Sequence, residues 1–197
     1  MGLFYNATMA WNALHDICYV IDIARKGKVK RIRITFSNSE FPHISGMQYA
    51  SDVDFGINKS EYYGELLVPA LLNRKLDDSR IENSRNWEKI SGRLSAIINM
   101  QEMLDGNFEI KAFDNAKLNY YSRIKAKYVI QNQISNDVYF VFFDEESSNY
   151  FCRSAFKKEK RDYLQNQTPM TVVHKVKIVN SVSTTLFCKN GYEPKNI

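Results

Sequence analysis

No stretch of this chain approaches the run of ~20 apolar residues that a membrane-spanning helix needs; its longest apolar runs are short, such as Leu66 to Leu72. The opening residues, MGLFYNATMAWNALHD, have neither the basic segment nor the small-residue cleavage site of a secretory signal. A cytoplasmic protein with no membrane partner is therefore expected. Cysteine is scarce: Cys18, Cys152 and Cys188 are odd in number and widely spaced. That pattern fits neither a disulfide framework nor a paired-thiolate zinc site. Also missing are a glycine-rich phosphate loop, a Gly-x-Ser-x-Gly elbow, a His-Glu-x-x-His helix and a carboxylate cluster suited to a divalent cation. No metal and no small-molecule cofactor is expected, and any phosphodiester cleavage would have to proceed without a metal ion.

What is present is ordinary globular material, 44% hydrophobic and 25% charged over 197 residues, enough for one well-buried core. Thr8 is placed to cap a first helix with the apolar face Ala10, Leu14, Ile17, Cys18 and Ile21, ended by Gly27. Lys28 to Phe36 then alternates as a strand. Ser60 is placed to cap a helix over Glu61–Leu67, which Pro69 kinks or restarts. Trp87, Ile90, Leu94, Ile97, Ile98 and Leu104 share one face of the clearest helix, stopped by Asp105-Gly106-Asn107. After Asn107 the period changes from 3.6 to 2. Phe108–Phe113, Ser122–Gln131, Val138–Asp144, Tyr150–Phe156, Met170–Val179 and Thr184–Lys189 read as strands joined by short turns, as in an antiparallel meander. The expectation is one α+β domain over residues 1–197, with N-terminal helices (about 1–106) packed on a C-terminal twisted antiparallel sheet (about 107–190).

The net charge is +5, and it is unevenly spread. Arg25, Lys26, Lys28, Lys30, Arg31 and Arg33 fall in one acid-free run. Arg153, Lys157, Lys158, Lys160, Arg161, Lys175 and Lys177 dominate the stretch from Phe151 to Asn180. Between Ala50 and Ile110, 11 acids outnumber seven cations. Such segregation fits an anionic partner, most commonly nucleic acid; a solvated sheet face is the plainer alternative. Arg31, Arg33, Lys157 and Lys158 on these segments, with Lys125 and Lys127 on the alternating stretch Ile124–Ile130, are the candidate RNA contacts.

Each of the three histidines can be weighed alone. His15 lies off the apolar stripe of its helix and reads as a surface residue. His174 shares the phase of Val172 and Val176, so a packed, structural position suits it. His43 is different. It sits in Phe41-Pro-His-Ile-Ser-Gly46, where Pro42 restricts the backbone, Phe41 and Ile44 offer anchors, and Gly46 permits an unusual backbone angle. An imidazole held there could act as general acid or base; a histidine bonded to backbone at a helix entry is the alternative. The other dense region runs from Tyr150 to Thr168. Arg153 could grip a phosphate, with Ser154, Tyr163, Gln167 and Thr168 as uncharged hydrogen-bonding groups. Arg153 and Ser154 are neighbours in a strand, so they point to opposite faces unless the strand bulges. With no metal motif, cleavage would draw on the 2′-hydroxyl of RNA, helped by a base, an acid and a cation.

Asn38-Ser-Glu-Phe-Pro-His-Ile-Ser-Gly46 resembles the Phe-x-His-Leu-x-Gly motif of a phage branch, the fourth such family, of the barnase/EndoU/colicin/RelE-like ribonuclease fold. So does the succession Ile124-Lys-Ala-Lys-Tyr128, a Phe-rich strand, Arg153-Ser-x-Phe156, Tyr163, Gln167, and a strand ending in Lys175-x-Lys177. The resemblance runs from about Lys28 to Val179. It implies helices packed on a four-stranded antiparallel sheet, metal-free RNA cleavage, and a phage or mobile-element setting in a bacterial host. It also implies roles: His43 as general base or acid, Arg153 stabilising the phosphorane with Ser154 or Tyr163 assisting, and Gln167 and Lys175 lining the groove. Lys177 joins them as an RNA contact. The implied partner is RNA or a ribonucleoprotein such as a CRISPR effector, in one version through an anti-CRISPR protein acting on guide RNA. The alternative is a catalytically silent inhibitor that grips nucleic acid or a ribonucleoprotein with its basic sheet.

Overall fold

The computed structural model describes residues 2–54, 65–76 and 78–194. Helix α1 (Leu3–Leu14) buries Phe4, Ala7, Thr8, Trp11 and Leu14 at three- and four-residue spacing. Thr8 does not cap it. The helix starts after Gly2, and the Thr8 hydroxyl donates back to the Phe4 carbonyl at 2.9 Å.

The helix also ends earlier than its apolar spacing suggests. Ile17–Arg25 is strand β1, joined to β2 (Lys28–Ile34) by a tight turn at Lys26 and Gly27, both at positive φ. The strand is rich in β-branched and aromatic residues, and Tyr19 through Ile23 is buried continuously. A strand covered on both sides shows no alternation, and Leu14, Ile17, Cys18 and Ile21 then imitate a helical stripe.

Short helices follow: α2 (Phe41–Ile44) and α3 (Leu67–Leu72), the latter with Pro69 in its first turn, where a missing N–H breaks no helical bond. The helix expected over Glu61–Leu67 lies mostly outside the described residues. The amphipathic helix is present as α4 (Trp87–Ile98) followed by α5 (Met100–Asp105). α4 packs on α1 on one side and on the sheet on the other.

Strands β3 (Glu109–Ala112), β4 (Tyr128–Ile134), β5 (Asp137–Glu146) and β6 (Asn149–Lys157) form the expected antiparallel meander. β7 (Thr168–Val179) pairs with β3 through Thr168–Met170 and with β1 through Thr171–Val179, and β8 (Val182–Cys188) folds back on it. At the other end, β2 meets β6 through one parallel pair, Ile34 with Tyr150. The ring β1-β2-β6-β5-β4-β3-β7 therefore closes into a seven-stranded barrel with β8 appended. The mixed α+β class holds. The C-terminal open sheet and the four-strand count do not, because the N-terminal hairpin supplies two strands and β7 is long enough to close the ring.

The strand expected over Ser122–Gln131 begins only at Tyr128; the residues from Ser122 to Lys127 are irregular. They cover a second, smaller core of Phe113, Val129, Phe140, Phe142, Tyr163 and Leu164, with Ile124 and Ala126 packed against it. The main core gathers α1, α4 and α5 against the opposite face, where Ile130, Val141 and Phe143 point. No helix among the described residues is long and apolar enough to cross a membrane.

Candidate active site

The β2–β6 pairing ends where the Thr35 N–H donates to the Tyr150 carbonyl at 3.1 Å. Glu40 fills the seam. Its carboxyl accepts from the Ser37 N–H at 3.3 Å and from the Cys152 N–H at 3.2 Å. Burial pushes its pKa up to about 8, against the lowering effect of those two hydrogen bonds. Glu40 thus ties the entrance of α2, which carries His43, to the strand position just before Arg153.

The β5–β6 register slips at this point. Phe142 faces Ser154 and Phe143 faces Cys152, so Arg153 is an extra residue without a partner on β5. This is a β-bulge, the condition under which Arg153 and Ser154 escape strict alternation. Arg153 is exposed and Ser154 is 4% exposed.

A residue that the sequence reading passed over completes the group. Arg93, on α4, donates through Nη1 to the Ile44 carbonyl and the Ser154 hydroxyl, both at 3.4 Å. Its guanidinium lies 5.3 Å from the Tyr49 ring centre and 5.7 Å from that of Phe156. Gly46 makes room for it. Gly46 sits at φ 86°, and a Cβ there would come within 2.9 Å of the Arg93 side chain. The glycine of the Phe41–Gly46 segment thus serves both the turn and the arginine laid over it.

His43 stands at the surface of α2. Its pKa is lowered, first by partial burial and then by the charges of Arg93 and Arg153. Three groups from residues 43, 93 and 153 therefore share one electrostatic environment. Such an imidazole is neutral at neutral pH and free to accept a proton, beside two cations suited to a phosphate.

Two hollows of about 380 and 360 Å³ open at Arg93 and share Tyr49, Arg93, Phe156, Arg161 and Tyr163; His43, Arg153 and Ser154 are not among the residues that line them. Lys89, Lys157 and Lys160 border the first; Tyr121, Ser122 and Arg123 border the second. Tyr163 is mostly buried, its ring 5.3 Å from both Phe142 and Phe156. A larger hollow, about 640 Å³, lies elsewhere, between β3, β4 and β7.

The other expected contacts divide. Arg33, Lys125 and Lys127 are exposed. Arg31 is held by Asp22 in two hydrogen bonds of 2.7 and 2.9 Å. Lys157 pairs with Asp137 at 2.7 Å, and Lys158 with Asp162 at 3.5 Å. Lys177 pairs with Asp105 at 2.7 Å. Lys175 is buried, its ammonium bonded to the carbonyls of Leu104, Asp105 and Gly106 at 2.5–3.0 Å. Burial lowers its pKa to about 8. Gln167 is also buried, exchanging hydrogen bonds of 2.7 and 3.1 Å with the Asp114 backbone. Neither Gln167 nor Lys175 is among the residues that line the two hollows at Arg93; Lys175 borders the hollow between β3, β4 and β7. A strand pattern marks which residues alternate, but not which are consumed by a helix terminus or a loop.

Of the other histidines, His15 is exposed with Nδ1 3.1 Å from the Phe36 carbonyl, and His174 is buried 3.6 Å from Asp22. Among the described residues no three His, Cys, Asp or Glu side chains gather so as to hold a metal ion. Arg93 had one signal in the sequence: a cation three residues after Ile90 and one before Leu94, bordering the apolar face of α4. Glu40 had none, since its function depends on the seam.

A search of curated proteins gave no match, and neither did a search of solved structures. A protein-family model does match, over residues 5–189, which includes most of α1, the barrel, His43, Arg93 and Arg153. The chain belongs to the family described as phage-Barnase-EndoU-ColicinE5/D-RelE like nuclease4.

Proposed function

We propose that this nuclease-family chain is a metal-independent endoribonuclease, acting in the cytoplasm of a bacterial host. The supporting observation is that Arg93, bonded to the Ile44 carbonyl beside His43 and to the Ser154 hydroxyl beside Arg153, links the two segments, while partial burial and the charges of both arginines lower the His43 pKa. In this reading the RNA 2′-hydroxyl attacks the adjacent phosphorus and His43 takes its proton. Arg93 and Arg153 offset the charge that builds on the phosphorane oxygens. The bond from phosphorus to the 5′-oxygen breaks, the imidazolium returns its proton to that oxygen, and a 2′,3′-cyclic phosphate remains. Ser154 holds Arg93 in place.

The test is incubation with structured and unstructured RNAs in the presence of EDTA, with analysis of product ends. Cleavage that persists and leaves cyclic phosphate is expected, and a single 2′-deoxy substitution at the cut site should abolish it. A requirement for magnesium, or cleavage of DNA, overturns the mechanism. The phage character of the family makes a CRISPR guide RNA one substrate for the same assay, as the counter-defence version of this reading. Tight binding without cleavage would replace the enzyme with a silent RNA-binding inhibitor.

A further inference from the structure

We infer that the segment from Tyr121 to Lys127 is a rail that holds an unpaired RNA strand leading out of the hollow at Arg93, so that the enzyme engages several nucleotides beyond the cut. This rests on the ribonuclease reading above.

Exposure alternates along the segment: Tyr121, Arg123, Lys125 and Lys127 face solvent, while the residues between them are half-buried. Ile124 and Ala126 pack onto the small aromatic core and fix which side faces out. The backbone is pinned as well. Ser122 accepts from Asn115 at 2.9 Å, the Ile124 N–H donates to the Ser122 hydroxyl at 3.2 Å, and Arg161 donates to the Tyr121 carbonyl at 3.4 Å. What results is a fixed row of one aromatic and three cations, at positions two residues apart. In extended chain that spacing is about 6.6 Å, comparable with the separation of successive phosphates along a stretched nucleic-acid strand.

Two further features match this use. Arg123, Lys125 and Lys127 form no ion pair among the described residues, unlike Arg31, Lys157, Lys158 and Lys177. Tyr121 is 76% exposed, an unusual state for a large ring and one suited to stacking against a splayed base. The row is continuous with the cleft, since Tyr121, Ser122 and Arg123 line the same hollow as Arg93. A duplex keeps its bases stacked inside and would leave Tyr121 without a partner.

The experiment compares oligoribonucleotides of two to twelve residues, unpaired or closed into hairpins, by cleavage kinetics and by fluorescence anisotropy at several salt concentrations. Proteins are the wild type, Tyr121→Ala, and the triple variant Arg123→Ala/Lys125→Ala/Lys127→Ala, with melting curves to confirm folding. KM should fall with length over the first few nucleotides and then level. The triple variant should raise KM about 10- to 100-fold with kcat unchanged, and reduce the salt slope by about 2, as expected for three lost single-strand phosphate contacts. Tyr121→Ala should weaken binding roughly tenfold. If the wild type binds the unpaired 12-mer but cuts nothing, the ribonuclease reading fails, and the anisotropy series still decides the rail. Unchanged KM and salt slope in the folded triple variant, equal affinity for hairpin and unpaired strand, or no RNA binding at all would overturn the rail.

Discussion

Lys175 and Lys125 both stand in alternating, cation-rich segments of the C-terminal half, and in sequence they look equivalent. In the fold Lys175 is 2% exposed and gives its three ammonium protons to the carbonyls that end α5 and follow it. Lys125 stands in solvent on a segment that no strand covers. Arg31 and Lys177 side with Lys175, each bound to a carboxylate; Arg33, Lys127 and Arg153 side with Lys125. A positive net charge therefore overstates the surface available to an anion. Part of it satisfies the barrel's own carbonyls and acids, and the remainder is what a phosphate meets. The hollows between α4 and β6 open onto that remainder.

The same contrast among histidines carries the largest expected effect. His43→Ala should lower the cleavage rate about 10²- to 10⁴-fold, the usual worth of one general acid or base. His15→Ala, away from the cleft, should leave it unchanged. A His43→Ala protein as active as wild type would remove the site altogether. His174→Ala is the control for folding, since it disturbs a buried group near Asp22.

Next comes the lysine pair itself. Lys175→Met strands three buried or half-buried carbonyls and should cost about 3 kcal/mol in urea denaturation. The RNA affinity of the molecules that remain folded should not change. Lys125→Met should do the reverse, shifting stability by no more than about 0.5 kcal/mol while weakening RNA binding. If Lys175→Met lost RNA affinity while fully folded, the division between inward and outward cations would be wrong.

What the sequence made legible follows from this division. α4 was readable because Ile90, Leu94 and Ile97 face one core while polar residues face water. The meander was readable because the period changes to 2 after Asn107. β1 was not, because burial on both faces erased its alternation. Closure of the barrel was invisible as well, since it depends on β7 changing partners from β3 to β1 along one strand. In the site, the Phe41–Gly46 segment announced a fixed backbone, and the Arg153–Ser154 pair posed a question that the bulge answers. Arg93 and Glu40 acquire their meaning from neighbours 49 to 112 residues away, which local pattern does not encode.

Glu40 offers a smaller effect. Its folded pKa, about 8, lies above the ordinary value of 4.5. Between these values the folded state keeps a proton that the unfolded chain has released, so stability falls as pH rises through that window. Allowing for the part of the carboxyl that water reaches, the fall should be on the order of 1–2 kcal/mol between pH 5 and pH 8. Glu40→Gln cannot titrate and should flatten the curve across that range. An unchanged slope in the variant would place the titration elsewhere.

The smallest expected effect is a shift in a pH profile. Partial burial comes first, then Arg93 and Arg153, in holding the His43 pKa below its ordinary 6.5. The base form therefore persists at pH values where an ordinary histidine would already be charged. The acid limb of kcat/KM should fall below pH 6.5, with a level region above it. Arg93→Met keeps an apolar chain between Tyr49 and Phe156 but removes one cation, so the limb should move to higher pH. The rate on the level region should fall too, since a charge facing the phosphorane is gone. Lys89→Met, a change at the rim of the neighbouring hollow, should leave the limb in place. If the limb stayed fixed in Arg93→Met while the level region fell, Arg93 would serve the phosphate and burial alone would set the imidazole. If neither moved, the cation over Gly46 would be a packing device, and Arg153 the one arginine to place opposite His43.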